Sequence, residues 1–350
     1  MRTFASLVIA VALLGCNNDG RPAGGGGAVD LHGAGATFPY PLYSKWVAEY
    51  QKVDPRVRIN YQSIGSGGGI KQITEKTVDF GASDAPMKDE ELARAPGKIV
   101  HLPVTLGAVV LAYHLPGVDS GLVLDAETVA AVFLGEVKTW NDPRIAAFNP
   151  AAKLPADPIT VAYRSDGSGT TAVFTDYLAK VSPAWKEKVG AGKSVKFPVG
   201  LGAKGNEGVA GQVKSTPGTI GYVELAYAKQ TKLAYASLKN RAGKVVEPSM
   251  EAITAAAAGF AADMPADFRL SITDAPGDAA YSISSYSYIL VYEETSGLTK
   301  ARALAQFLWW AVHDGQKLAP ALDYAPLPAD VVVRVEAALR TLRAGGQPLL

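Results

Sequence analysis

The chain has 350 residues, 48% of them hydrophobic and 19% charged, which is ample material for a core and a length that favours two domains. Thirty-four basic residues balance 33 acidic ones for a formal charge of +1, with no basic block or stripe. Nucleic acid is therefore not an expected partner, and any bound anion has to be held by local groups rather than by an overall field. The one cysteine, Cys16, cannot close an internal disulfide. The four histidines, His32, His101, His114 and His313, lack metal-ligand spacing, so no metal is expected and each reads as an ordinary surface or satisfied side chain.

In chain order, the first segment carries one positive charge and then an apolar run from Phe4 to Leu14. That run has the length of a signal-peptide core and is too short to span a membrane. It ends in Leu13-Leu14-Gly15-Cys16, which resembles the lipobox of bacterial lipoproteins. The resemblance implies a signal peptide over 1–15, cleavage before Cys16 and lipid on Cys16. The alternative is a plain secretory signal with an incidental cysteine. Residues 16–28 are polar and Gly-rich, a flexible tether. On either reading the fold begins near Val29 and works outside the cytoplasm, in the periplasm or on the cell surface.

Beyond the tether, strand-like and helix-like segments alternate. Residues Pro41 to Lys52 place Leu42, Tyr43, Trp46, Val47 and Tyr50 on one helical face, with a proline near the start. VRINYQ reads as a strand running into a Gly-rich turn and the helix of SIGSGGGIKQITEKT. VDFGASDAP is a short strand ending in a loop, and VTLGAVVLAYHL is a long buried strand. Asp125 is placed to cap AETVAAVF, with Gly135 as its stop. ITVAYRSDGSGT is strand then Gly-rich turn, TAVFTDYLAKV a helix, YSYILVYEE a strand, and two helices lie near the end. This alternation predicts an α/β architecture with mainly parallel sheets. Trp309-Trp310 and Tyr286, Tyr288 and Tyr292 could suggest a sugar-stacking surface, but their helix and strand spacing assigns them to packing.

Three strand-to-helix junctions combine glycine with hydroxyls: Gly33 to Phe38, Gly65 to Gly69, and Gly167 to Thr170. Ligands of open α/β sheets sit at such junctions, against helix N-termini. Three together suggest convergence on one small oxyanion. None matches a dinucleotide fingerprint or a P-loop, and the G-x-S-x-G elbow fails around both Ser66 and Ser168. No cofactor is expected, and binding without chemistry fits better than hydrolysis. A secreted phosphatase using the same cradle, with Ser168 or Thr37 as nucleophile, is the alternative. It lacks a metal cluster and a histidine within any of these motifs.

The segments GAGATFPYPLYSKW, YQSIGSGGGIKQI, VDFGASDAPM, RSDGSGTTAVFTDYL, GLGAKGNEGVAGQV, GTIGYVELAYA and LDYAPLP resemble the phosphate-binding protein of bacterial phosphate ABC transporters, the PstS family. The resemblance covers nearly all of the chain after the tether. It implies a two-lobed periplasmic-binding-protein fold of type II, with the ligand in the cleft between lobes. The lobes are expected over 29–104 with 278–350, and over 105–277. It also implies inorganic phosphate as ligand, the permease subunits of an ABC importer as partner, a monomer, and no catalytic residue. Carried over by motif, the phosphate ligands fall on Thr37 (hydroxyl and backbone N–H), Phe38 (backbone N–H), Ser66, Asp84, Arg164, Ser168, Gly169 and Thr170. Gly67, where many relatives have a second serine, and Ser165, where alanine is usual, depart from the pattern without removing a ligand group.

Phosphate at neutral pH always keeps at least one proton. Asp84, an acceptor only, makes sense beside such an anion if it accepts that proton's hydrogen bond. Sulfate and molybdate bring none, so two acceptors would face each other unpaired. Asp166 lies two residues from Arg164 and is expected to pair with it, orienting the guanidinium and moderating its charge.

Overall fold

The structure, a computed structural model, describes residues 27–350. The signal peptide, the lipid-attachment position Cys16 and most of the tether lie outside the described residues. Among the described residues, no helix is long and apolar enough to cross a membrane.

Strand β1 (Val29–Gly35) leads into helix α1 (Tyr40–Val53). Pro41 sits in the first turn of α1, where its missing N–H costs nothing, and Asp54 leaves the helix in an extended conformation. Leu42, Tyr43, Trp46 and Tyr50 are buried, and Leu42 alone contributes roughly 1.5–3 kcal/mol. Trp46 Nε1 donates to the Gly315 carbonyl at 2.7 Å, which satisfies its one polar atom inside the core. β2 (Val57–Ser63), α2 (Ser66–Thr74) and β3 (Phe80–Ser83) follow. Then comes β4, sixteen residues from Ile99 to His114 and almost entirely buried.

Helix α3 (Ala126–Phe133) has the expected cap: Asp125 accepts from the Thr128 N–H at 2.9 Å, and Gly135 follows with φ of +75°. The next elements are β5 (Thr160–Arg164), α4 (Gly169–Val181), β6 (Leu201–Ala203), α5 (Gly205–Ser215), β7 (Thr219–Glu224) and α6 (Leu225–Gln230). Strand β8 (Ser284–Tyr292) and helices α7 (Leu298–Val312) and α8 (Ala329–Leu339) complete the frame.

The strands join in the order β2-β1-β3-β8-β4-β7-β5-β6. β1 is parallel to β2 and β3, and β5 is parallel to β6 and β7. The middle is different: β8 is antiparallel to β3 and β4, and β4 is antiparallel to β7. The sheet is therefore mixed rather than mainly parallel. An apolar run shows that a strand is buried but carries no sign of its direction.

These antiparallel strands are also the passages between two halves. Ile99 to Ala108 of β4 pair with β8, and Val109 to His114 pair with β7. The chain leaves the first half along β4 and re-enters it along β8, which gives the expected two-lobed α/β architecture. Each half has its own aromatic core. In the first, Tyr43 stacks on Trp46, and Tyr50 meets Phe307 and Trp310. In the second, Phe133, Phe174, Phe197 and Tyr222 pack together. Tyr286 and Tyr288 are buried, while Trp309 stacks on His313 beside the Arg340 guanidinium.

Candidate functional site

The turn from β1 into α1 holds Ala36, Thr37 and Phe38, all buried. Each of their carbonyls is held by a tyrosine hydroxyl from a different part of the chain. Tyr61 donates to Ala36 O at 2.7 Å, Tyr227 to Thr37 O at 2.6 Å and Tyr324 to Phe38 O at 2.7 Å. In a trans peptide the N–H points opposite to the preceding carbonyl. Fixing the Ala36 and Thr37 carbonyls therefore turns the N–H groups of Thr37 and Phe38 the other way, as a pair of aimed donors.

The second turn brings Ser66 to the start of α2. Its hydroxyl oxygen accepts from the Asp84 N–H at 3.2 Å and lies 3.4 Å from Asp84 Oδ2. The turn requires glycine at its head: Gly65 has φ of +88°, and a Cβ there would come within 2.7 Å of the Gly167 carbonyl. Asp84, just past β3, is 1% exposed. Ser287 of β8 donates to its Oδ1 at 2.8 Å. Burial pushes the Asp84 carboxyl up to about 7, against the opposing pull of the Ser287 hydrogen bond and the Arg164 charge.

The third turn joins β5 to α4. Arg164 is buried and forms a two-pronged pair with Asp166, at 2.8 Å from Nε and 2.6 Å from Nη2. Its Nη1 donates to Thr170 Oγ1 at 3.3 Å. Burial raises the Asp166 carboxyl, but the Arg164 hydrogen bonds and charge and the Gly205 N–H outweigh it, leaving the group below its usual range. Ser168 caps α4 by accepting from the Thr171 N–H at 3.0 Å. Gly169 sits so close to the first half that an added Cβ would meet Asp84 Oδ2 at 2.5 Å.

Thr37, Phe38, Ser66, Asp84, Arg164, Ser168, Gly169 and Thr170 thus share one buried cluster, with Asp166 behind Arg164. The N-termini of α2 and α4 and the turn entering α1 converge there, and each helix end adds partial positive charge. The two halves meet over the cluster. Gly67 N–H donates to Gly167 O at 2.8 Å, and Lys193 pairs with Glu91 at 2.8 Å.

A fourth helix start, at α5, also reaches the cluster. Gly205 N–H donates to Asp166 Oδ1 at 3.1 Å. Asn206, fully buried, donates from Nδ2 to Thr37 Oγ1 at 2.7 Å and to Thr170 Oγ1 at 3.0 Å. Sequence reasoning passed over Asn206 because its junction, Leu201 to Asn206, has glycine but no hydroxyl. Ser287 and the three tyrosines were missed because they reach the site only through the tertiary fold. A strand-to-helix junction with glycine followed by an amide side chain, Gly205-Asn206, was the one signal available.

The histidines lie elsewhere. His101 Nε2 accepts from the Met87 N–H, and His313 bonds Trp309 O and Glu336. Among the described residues, no group of three or more His, Cys, Asp or Glu side chains is arranged to hold a metal ion. The cluster is a set of hydrogen-bond donors around one buried carboxylate, suited to hold a small anion that carries a proton.

Comparison with known proteins agrees with this chemistry. The model of the PBP superfamily domain matches residues 21–314. The phosphate-binding protein PstS of Pasteurella multocida is 47% identical over 315 residues, 90% of this chain and 91% of that protein. The protein of the same name from Methanocaldococcus jannaschii is 39% identical, covering 93% of this chain and 90% of the relative. Among solved structures, the phosphate-binding protein from Stenotrophomonas maltophilia has a TM-score of 0.69 at 19% identity, covering 91% of this chain and 97% of that one. A high-affinity periplasmic phosphate-binding protein (PfluDING), solved with phosphate bound, has a TM-score of 0.70 at 21% identity, covering 91% and 96%. The structural likeness places the fold among two-lobed periplasmic binding proteins of type II, and the sequence identity over nearly the whole length assigns the chain to the PstS family of phosphate-binding proteins.

Proposed function

We propose that this protein captures inorganic phosphate outside the cytoplasm and delivers it to the permease subunits of an ABC-type importer. One observation carries the reading: a buried carboxylate, Asp84, stands inside a ring of donors. Donors alone would suit any oxyanion. A ring of donors with one acceptor suits an oxyanion that keeps a proton. In this reading the N–H groups of Thr37 and Phe38, the hydroxyls of Thr37, Ser66, Ser168 and Thr170, the Gly169 N–H and Arg164 hold the phosphate oxygens, and Asp84 accepts from the phosphate hydroxyl. Asp166 orients Arg164. The lobes, 29–104 with 278–350 and 105–277, close over the ligand by bending where β4 and β8 pass between them.

The protein acts as a binder and not as a hydrolase. Ser168 is committed to capping α4, and no histidine lies within the three turns, His101 and His313 being bonded to other groups. A lipid on Cys16 would tether the monomer to a membrane, and Cys16→Ser should move the protein from the membrane fraction to the soluble one. Retention of the variant in the membrane fraction would remove the lipid anchor.

The decisive test is equilibrium binding of labelled phosphate with sulfate and arsenate as competitors. A site built for a substrate O–H rejects an analogue that lacks it by roughly 10⁴–10⁵. Arsenate, which is protonated, should compete and sulfate should not. Equal competition by sulfate would end the Asp84 argument.

A further inference from the structure

The hydroxyls of Thr37 and Thr170 stand on opposite lobes, and one side chain joins them. Asn206 offers its amide nitrogen to Thr37 Oγ1 at 2.7 Å and to Thr170 Oγ1 at 3.0 Å. The amide orientation is fixed, because Oδ1 accepts from the Glu224 N–H at 2.9 Å and an N–H can only donate. Each hydroxyl oxygen has a second donor as well. The Asn206 N–H approaches Thr37 Oγ1 at 3.3 Å, and Arg164 Nη1 approaches Thr170 Oγ1 at 3.3 Å. All four of these groups donate and none can accept. A hydroxyl has one proton to give and two lone pairs to receive. With both lone pairs occupied, each threonine keeps one role, that of donor, and its proton must leave the Asn206 side.

We propose that Asn206 is a positioning residue that sets the Thr37 and Thr170 hydroxyls as donors to the bound anion, and that it reaches Thr37 only when the lobes are closed. The proposal rests on the phosphate reading above and adds a residue to it. Thr37 follows β1 in the first lobe, whereas Asn206, Thr170 and Glu224 all belong to the second. In an open molecule the Thr37 hydroxyl would lose both Asn206 donors and rotate freely, able to accept as readily as to donate. Closure therefore converts an ambivalent group into a committed donor. This makes the fully donor-lined cradle a property of the closed state, so that ligand and closure favour each other. It also adds to anion selectivity: a neutral solute of similar size that needs to donate would find neither threonine able to accept.

The test is a double-mutant cycle on the full chain, read as the dissociation constant for inorganic phosphate. Asn206→Ala should weaken phosphate binding by about 10- to 100-fold, the scale of one to two buried hydrogen bonds. In a Thr37→Val/Thr170→Val background, the same substitution should cost less than about threefold, since the hydroxyls through which Asn206 acts are gone. Asn206→Asp preserves the shape but accepts where the amide donated, so it should draw both hydroxyl protons away. Its loss should exceed that of Asn206→Ala and should shrink in the double-valine background. Plain charge repulsion would leave that loss unchanged.

A merely structural asparagine would cost the same in both backgrounds, and that result would overturn the proposal, as would a wild-type affinity in Asn206→Ala. If the ligand-free thermal midpoint of Asn206→Ala falls steeply, the isosteric Asn206→Asp variant carries the cycle alone. Failure of the wild-type protein to bind phosphate at all would overturn the phosphate reading and this proposal together. Phosphate binding by wild type without coupling would overturn only this proposal.

Discussion

Gly169→Ala tests the closed geometry with one methyl group. A Cβ on Gly169 would sit 2.5 Å from Asp84 Oδ2 and 2.8 Å from Asp84 Cβ, and closer still to Ser66 Oγ. The contact with Asp84 Cβ matters most, because no rotamer change moves a Cβ away. The lobes have to part, by about 1 Å to restore an ordinary carbon–carbon distance of about 3.5 Å or more. Cross-lobe bonds would then stretch past the hydrogen-bonding range, including Asn206 Nδ2 to Thr37 Oγ1 at 2.7 Å and Gly67 N–H to Gly167 O at 2.8 Å. Two such bonds contribute about 1 kcal/mol each, and an anion gripped from one lobe loses at least one charge-assisted bond worth about 1.5–3 kcal/mol. The sum, about 3.5–5 kcal/mol, corresponds to phosphate binding weaker by roughly several hundred- to several thousand-fold. Calorimetric titration with phosphate measures it. The open molecule has no such clash, and alanine is a good helix former. The ligand-free thermal midpoint should therefore hold or rise slightly. An affinity within about threefold of wild type would show that the lobes do not close as described.

The remaining predictions concern residues around the same cluster. Asp84→Asn should admit sulfate as a competitor, because an amide NH₂ can donate where the carboxylate could not; continued exclusion of sulfate would place specificity elsewhere. In the wild type, burial pushes Asp84 up to about 7 from its ordinary 3.8, so ionising it in the closed, ligand-free molecule costs free energy. That cost is absent below about pH 4, grows as the pH rises, and is complete above about pH 7. The closed fraction of the ligand-free protein, read by small-angle scattering, should therefore decline across this window relative to Asp84→Asn, and parallel pH profiles would refute the assignment. Over the same range, falling pH should let the protonated Asp84 donate to sulfate and strengthen its competition. Tyr227→Phe removes the hydroxyl that holds the Thr37 carbonyl at 2.6 Å, releasing the peptide that aims the Phe38 N–H. Phosphate affinity should drop about tenfold, one hydrogen bond's worth, and an unchanged affinity would mean that the turn is held without it.

How much of this was legible in the sequence follows from how each residue reaches the site. The three turns were readable because each is a short run of consecutive residues whose glycines and hydroxyls already imply a strand-to-helix junction. The run from Val104 to Leu115 was readable as a buried strand. Its change of partner from β8 to β7 between Ala108 and Val109 was not, because both stretches are equally apolar and only the partner strands differ. Tyr61, Tyr227 and Tyr324 come from β2, α6 and the segment before α8, so nothing local distinguishes them from packing tyrosines. They are packing tyrosines, and their hydroxyls do the additional work of turning three successive peptides.

The two acids near the site divide along the same line. Asp166 lies beside Arg164 in sequence, and local spacing alone suggested their pairing. Asp84 gains its elevated proton affinity from burial, which exists only once distant segments fold over it, and Ser287 and Arg164, brought in with them, pull the other way. Together they decide what kind of attraction the cradle exerts. Arg164 spends its Nε and Nη2 bonds on Asp166 and an Nη1 bond on Thr170. Of the guanidinium's five N–H groups, at most two remain for a ligand. Its charge is cancelled by the carboxylate beside it, and Asp84 adds no positive charge in either protonation state. The cradle therefore has no net cationic charge to offer and must hold its anion by counted hydrogen bonds and helix ends. Such a site can distinguish anions of equal charge by their protons, which a cluster of lysines and arginines could not do.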